Sequence, residues 1–209
     1  MKIELKNLSF SYQNKFIIKK ASNTFNSGNI HFINGKNGSG KTTLLKLIAT
    51  FLNPDFGDIL YNDITFKNFK KNKKNNLSYI THLPMLYPEL SLKENFNFFN
   101  KIYSSKLEKA KDLRKNFNLM QFNDMQVKKF SRGMKQKASI ALSLSFNYGI
   151  YLFDEPFSGL DIESQEILNN HIIELSKQNK LIIMISHHVN KIENSIYYSL
   201  ENGKIEINN

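Results

Sequence analysis

The sequence predicts an α/β core interrupted by a helical block. Short apolar, strand-like runs alternate with helical patterns near both ends of the chain. Residues 91–147 carry helical spacing and no strong strand. Turn residues, not long linkers, separate the segments, and no internal repeat appears.

The elements follow in order. Residues 2–12 alternate apolar and polar as a strand does. A turn at Gln13-Asn14-Lys15 precedes a second extended stretch to Phe25. After Ser27-Gly28-Asn29, Ile30–Asn34 reads as a short apolar strand. A glycine-rich loop spans 35–41. Thr42–Phe51 has helical apolar spacing at Leu44, Leu45, Leu47 and Ile48, and Asn53-Pro54-Asp55 is expected to end it. Asp58–Tyr61 reads as a strand, residues 67–76 as a solvated basic loop, and Leu77–Thr81 as a strand. Helices are expected over Met134–Leu144, Ile162–Gln178 and Val189–Ser195. Buried strands are expected at Ile150–Phe153 and Leu181–Ile185. The tail Tyr197–Ile207 reads as a hairpin turning at Asn202-Gly203.

Composition narrows the function classes. The 209 residues fit one domain, or one core with a subdomain. Apolar residues make up 41%, enough for a substantial core. With no cysteine, disulfide, zinc-thiolate and iron–sulfur chemistry are excluded. No run approaches about 18 uninterrupted apolar residues, so no spanning helix is expected. The first residues lack the apolar run of a secretory signal. The formal charge of +11 fits a polyanion partner or an anionic membrane surface. A lysine- and asparagine-rich composition bias is the preferred reading, because the cations are scattered apart from Lys67–Lys74 and Lys106–Lys115.

The chemistry begins at the glycine-rich loop. Gly35-Lys36-Asn37-Gly38-Ser39-Gly40-Lys41-Thr42 fills every fixed position of G-x-x-x-x-G-K-[ST], between a strand and a helix, with Thr43 next in line. Glycines let the backbone approach phosphate oxygens, and successive N–H groups face the anion. Lys41 is expected at the β- and γ-phosphates and Thr42 on Mg²⁺. About 110 residues later, the apolar run Ile150–Phe153 ends in Asp154-Glu155. Asp154 suits Mg²⁺ held through water, and Glu155 suits a general base for an attacking water.

Phe130-Ser131-Arg132-Gly133-Met134-Lys135-Gln136 resembles the L-S-G-G-Q signature of ABC-type ATPases. Ser158-Gly159-Leu160-Asp161 is similar to their D-loop, His187 to their switch histidine, and Tyr12 to their adenine-stacking aromatic. Core or edge packing is the other reading of Tyr12. His31 and His188 read as structural. The resemblance covers nearly the whole chain. It implies a P-loop (RecA-like) ATPase core with an N-terminal antiparallel β portion. The core would hold 1–85 and 148–209, and the inserted helical signature subdomain about 86–147. It also implies ATP and Mg²⁺ as ligands, and a dimer in which Ser131, Arg132, Gly133 and Met134 face the partner's ATP. Asp161 would couple the two sites. The sequence departs from the family at Phe130 for Leu, Arg132 for the first Gly and Met134 for Gln. His82 stands where the family usually has Gln, and an imidazole there titrates near neutral pH.

His82-Leu83-Pro84 and the stretch from Tyr87 to Asn95, then Phe98-Phe99 and Tyr103, resemble the ATP-binding subunit of the haem exporter of cytochrome c maturation. The Ser131-Arg132-Gly133-Met134 variant is shared with other small-solute and antibiotic exporters. The resemblance implies a peripheral ATPase subunit on the cytoplasmic face of a membrane, pairing with a second ATPase subunit and powering a separate permease. The Tyr87–Phe99 region is the expected dock for that permease, or else ordinary helical core. A soluble ABC ATPase acting on nucleic acid is the competing class. It would call for coiled-coil insertions or a second ATPase domain, which 209 residues do not hold, so no specific nucleic acid is expected. A non-hydrolysing module would require a broken catalytic set, and Lys41, Asp154, Glu155 and His187 are all present.

Overall fold

A computed structural model describes residues 1–72, 76–81, 84–103, 109–186 and 194–208. It divides into two compact units. The first holds Met1–Tyr79, Tyr148–Glu155 and Ile172–Asn209, and the second Ile80–Asn147 and Pro156–His171.

The first unit begins with a long hairpin, β1 (Lys2–Tyr12) and β2 (Lys15–Asn26), in register from Lys2↔Asn26 to Tyr12↔Lys15. Gln13 and Asn14 both take positive φ, the backbone that a two-residue hairpin turn with matching twist demands. Lys15 is therefore the first residue of β2 and no longer part of the turn. β3 (Ile30–Asn34) leads into the glycine-rich loop, and α1 (Lys41–Ile48) leaves it. Leu44, Leu45, Leu47 and Ile48 are fully buried, as their spacing predicts. The helix stops at Ile48, earlier than the expected Phe51. Thr50 adopts φ 63°, a left-handed cap, and the Phe51 N–H bonds back to the Lys46 carbonyl at 2.9 Å.

β4 (Phe56–Tyr61) and β5 (Ile64–Thr65) complete an antiparallel sheet of order β2-β1-β4-β5. The expected basic loop that follows is in part a helix, α2 (Phe66–Lys71). Phe66 and Phe69 lie three residues apart and so share one helix face. Both are buried, and Phe69 stacks flat on Tyr61 with ring centroids 3.7 Å apart. The lysines hide this pattern in the sequence, because their charges dominate the composition of the segment.

β6 (Leu77–Thr81) precedes the helices α3 (Leu92–Tyr103), α4 (Ala110–Asn116) and α5 (Arg132–Leu144). β7 (Ile150–Asp154), α6 (Ile162–Lys177), β8 (Leu181–Ile185), β9 (Ser195–Glu201) and β10 (Lys204–Ile207) follow. The larger sheet has the order β10-β9-β3-β8-β7-β6. β9, β3, β8 and β7 run parallel, and β10 closes an antiparallel hairpin on β9 at Asn202-Gly203. Every residue of β7 and β8 is buried, as in a sheet covered on both faces. Most of the helix expected at Val189–Ser195 lies outside the described residues, and Ser195 itself opens β9. Among the described residues no helix is long and apolar enough to cross a membrane.

In the second unit, Asn95 is fully buried. Its Oδ1 accepts from the Tyr87 N–H at 2.8 Å, and its Nδ2 donates to the carbonyls of Tyr87 and Ser91, each at 3.0 Å. Ser91 and Glu94 form a reciprocal cap at the start of α3. One side chain and one cap thus fix the segment before α3 to the helix.

The packing of α2 gives a direct test. Phe69→Ala should lower the unfolding free energy by about 3 kcal/mol. Lys67→Ala should change it by less than about 0.5 kcal/mol. Urea denaturation of both variants measures the difference, and a Phe69→Ala variant as stable as the parent would contradict the buried helix face.

Candidate functional site

The loop between β3 and α1 owes its path to its glycines. Gly35 has φ 151°, and a Cβ there would sit 2.6 Å from the Leu200 carbonyl oxygen. Gly40 caps α1 in the left-handed region at φ 103°, where a Cβ would meet Ile17 Cγ2 at 2.7 Å. Both positions exclude a side chain. Lys41 is buried at the start of the helix. Its Nζ donates to the carbonyls of Gly35 at 2.7 Å and Lys36 at 3.1 Å, so the ammonium is tethered across the loop. Lys36, Asn37 and Gly38 are exposed. The Ser39 Oγ is buried with no hydrogen-bond partner in the protein. A buried hydroxyl with an unused donor, in a loop built to face an anion, is suited to a phosphate oxygen.

The acidic pair ends β7 beside this loop. Asp154 is 4% exposed. Its Oδ1 accepts from the Thr42 hydroxyl at 3.1 Å and its Oδ2 from the Tyr79 hydroxyl at 2.9 Å. Burial first, then the Asp154 charge and hydrogen bond, push the Tyr79 phenol well above its ordinary range, so it stays a donor. Glu155 turns the chain at φ 53°, a conformation that costs a non-glycine residue energy, and its N–H bonds the Ile185 carbonyl at 2.9 Å. Thr43 is half-buried.

A cleft of about 370 Å³ flanks the loop. Lys15, Phe16, Lys36, Ser39 and Glu201 are among the residues that line it. Tyr12, at the end of β1, is 45% exposed and touches Phe10 edge-on with ring centroids 4.8 Å apart. Its ring is a surface feature and not core filling. His31 is fully buried, with hydrogen bonds to the Tyr198 hydroxyl at 3.0 Å and to the Asn26 backbone. Burial holds its pKa down, as befits a structural histidine. His82, His187 and His188 lie outside the described residues.

The second unit carries the remaining motif residues. Ser131 caps α5, its Oγ accepting from the Met134 N–H at 3.2 Å. Arg132 is exposed, and Gly133 is close-packed: a Cβ there would lie 3.0 Å from the Gly159 carbonyl oxygen. Asp161 caps the start of α6 by accepting from the Ser164 N–H at 2.9 Å, and it pairs with Lys137 at 2.6 Å. The Lys137 hydrogen bond, then those from Ser164, hold the Asp161 carboxyl down at about 2. Gln136, 2% exposed, donates to the Thr81 carbonyl at 3.2 Å and the Pro156 carbonyl at 3.4 Å.

The aromatic stripe that sequence left between surface and core is mostly surface. Phe96 is buried, whereas Phe98 and Phe99 are half-buried and Met85, Tyr87 and Tyr103 are exposed. Tyr87 meets Phe98 edge-on with ring centroids 4.7 Å apart.

Sequence reasoning missed Tyr79, Gln136 and Lys137. Tyr79 reads there as one more alternating residue of a strand, and only its place two residues before the end of β6 hints at a site. Lys137 sits one turn beyond Gly133 on the same helix, a spacing that places both on one face.

Among the described residues no group of three His, Cys, Asp or Glu side chains could cage a metal. Thr42 and Asp154 do offer hard oxygen donors side by side. That suits Mg²⁺, which takes few protein ligands and keeps waters and phosphate oxygens.

Known proteins resemble this chain along most of its length. The sequence profile of the family described as ABC transporter matches residues 18–158. The ABC transporter ATP-binding protein NatA of Bacillus subtilis (strain 168) is 34% identical over 200 residues, covering 91% of this chain and 81% of its own length. The cytochrome c biogenesis ATP-binding export protein CcmA of Haemophilus influenzae is 27% identical over 188 residues, covering 89% of each chain. The solved structure of an ATP-binding subunit of an ABC transporter superposes with a TM-score of 0.89 at 26% identity, covering 98% of this chain and 88% of its own.

The Asp161–Lys137 pair has a measurable signature. In an NMR titration the Asp161 carboxyl should change state near pH 2, and Lys137→Met should move that transition up toward the ordinary 3.8. Because the folded value is depressed, the pair's contribution is complete above pH 3.8 and is lost as pH falls toward 2. Asp161 is 57% exposed, so at pH 7 the variant should lose less than about 1 kcal/mol of stability.

Proposed function

The chain belongs to the ABC transporter family, and from that premise we propose that its phosphate loop and acidic strand end form the ATP-hydrolysing site of a transporter subunit whose permease is another chain. The chain is an ATPase. The observation that supports placing the chemistry here is the Thr42–Asp154 hydrogen bond, which joins residues 112 positions apart at the mouth of the loop.

In this reading the loop N–H groups and Lys41 hold the β- and γ-phosphates. Gly35 to Gly40 shape the cradle, with Ser39 Oγ donating to a phosphate oxygen. Tyr12 offers its exposed ring to the adenine. Thr42 directly and Asp154 through water would hold Mg²⁺, which would neutralise charge developing on the phosphate oxygens. Glu155 takes a proton from the water that attacks the γ-phosphorus. The bond to the β-phosphate oxygen breaks, and ADP and inorganic phosphate result. His187 is assigned a hydrogen bond to the γ-phosphate or that water. His82 is assigned the position usually held by Gln.

A second ATPase subunit, taken here as another copy, supplies the rest. Ser131 and the Gly133 N–H lie at the N-terminus of α5, where a helix favours an anion. They face the partner's ATP, Arg132 adds a cation, and Asp161 couples the two sites. The exposed aromatics around Tyr87 and Tyr103 form the dock for the permease, which holds the subunit at the cytoplasmic face of a membrane. For cargo, the finer proposal is haem export for cytochrome c biogenesis. It is supported by the CcmA relatives at 26–29% identity. The 34% identity to NatA supports a different ABC transporter. Co-purifying the permease and measuring its haem content by absorbance separates the two.

Glu155→Gln should keep ATP binding, lower turnover by about 10²–10⁴-fold, and elute as an ATP-trapped dimer in size-exclusion chromatography with Mg²⁺. Unchanged hydrolysis in that variant removes Glu155 from the base role. Lys41→Ala should lose ATP binding itself.

A further inference from the structure

We propose that Tyr79 is a positioning residue of the ATPase site, holding the Asp154 carboxylate so that the Thr42 hydroxyl keeps its lone pairs free for nucleotide-bound Mg²⁺. The inference rests on the site reading given above and adds to it a residue outside the motifs.

Asp154 is 4% exposed, so water has little access to its carboxylate. Its two oxygens are taken by two hydroxyls from different elements. Thr42 on α1 donates to Oδ1 at 3.1 Å, and Tyr79 on β6 donates to Oδ2 at 2.9 Å. A hydroxyl has one proton and two lone pairs. With its proton committed to Oδ1, Thr42 presents only lone pairs elsewhere, which is what a cation requires. That commitment depends on the rotation of the carboxylate, and the terminal torsion of Asp is broad and weakly held. The Tyr79 bond is the second anchor that fixes it. The Tyr79 ring is in turn held edge-on by Phe51, with centroids 5.3 Å apart, and packs against the buried core. A phenylalanine would fill the same space and leave Oδ2 without its donor.

Tyr79→Phe is therefore the informative variant, because it removes one oxygen and keeps the packing. Its melting temperature should fall by a few degrees, because a buried carboxylate loses one donor, while its affinity for a fluorescent ATP analogue in EDTA should match the parent. The Mg²⁺ concentration that half-saturates the metal-dependent change in analogue binding should rise about tenfold, the factor set by 1.4 kcal/mol. Mn²⁺ bound in the presence of nucleotide, read by electron paramagnetic resonance, should weaken in parallel. Turnover should recover in excess Mg²⁺. An unchanged metal dependence in Tyr79→Phe overturns the proposal, as does a general loss of stability and EDTA-state binding with no separate metal effect. Asp154→Asn distinguishes the levels. If it shifts the metal dependence and Tyr79→Phe does not, only the role of Tyr79 falls. If neither variant shifts it, the site reading falls and the proposal with it.

Discussion

A buried carboxylate at the end of β7 is the constraint around which the first unit is arranged. An ionised group removed from water is costly unless hydrogen bonds replace the lost hydration. Asp154 receives them from Thr42 and Tyr79. To deliver Thr42, the chain must leave β3, turn through a glycine loop and start α1 at a fixed height beside the strand. To deliver Tyr79, β6 must sit next to β7 in the sheet, as the strand order has it. The apolar burial of β7, β8 and α1 supplies the rigid frame, and the polar triad fixes how its parts register. A shift of one residue in β7 would turn Asp154 to the other face of the sheet.

Much of this was legible in the residues, for identifiable reasons. The phosphate loop announces itself because its physical requirements are severe: only glycine fits at Gly35 and Gly40, and those requirements leave a fixed spacing in the sequence. Fully apolar runs such as Leu181–Ile185 announce buried parallel strands, and the strand bounds there match. Asn202-Gly203 announces a hairpin turn. What stayed hidden depends on partners remote in sequence. α2 was unreadable as a helix because its two phenylalanines acquire meaning only against Tyr61 and the core. Its lysines meanwhile made the segment look like a loop. The early stop of α1 depends on Thr50 accepting a left-handed backbone, a choice that a β-branched residue rarely signals. Tyr79 looked like strand filling because the acceptor that gives its hydroxyl a purpose lies 75 residues away.

The second unit obeys a different economy. Its motif residues act mainly through caps and close approach. Ser131 and Asp161 each accept the N–H of a residue three positions on, at the starts of α5 and α6. Gly133 lets the first turn of α5 approach the Gly159 carbonyl. Lys137 then reaches Asp161 from the next turn, so the two capped helix starts are joined by a charge-assisted bond. Gln136, the residue before Lys137 on the helix, donates its amide protons to the carbonyls of Thr81 and Pro156. The signature segment and the loop after the acidic pair are therefore parts of one hydrogen-bonded assembly, although the sequence presents them as separate motifs.

The departures from the family pattern can be weighed in the same terms. Arg132 replaces a glycine, yet it takes the first helical position of α5 with its side chain in solvent, where nothing excludes a Cβ. Met134 replaces glutamine, but what it contributes locally is its backbone N–H, donated to Ser131, and any residue except proline supplies that. Phe130 replaces leucine and is buried in edge-on contact with Phe122, so an apolar position stays apolar. Gly133 is the tightest of these positions, because a Cβ there would lie 3.0 Å from the Gly159 carbonyl oxygen, which would have to give by a few tenths of an ångström. That glycine is retained. The substitutions fall where the structure tolerates a side chain, and the residues kept are the one whose hydroxyl caps α5, Ser131, and the one that lets the helix approach the Gly159 carbonyl, Gly133.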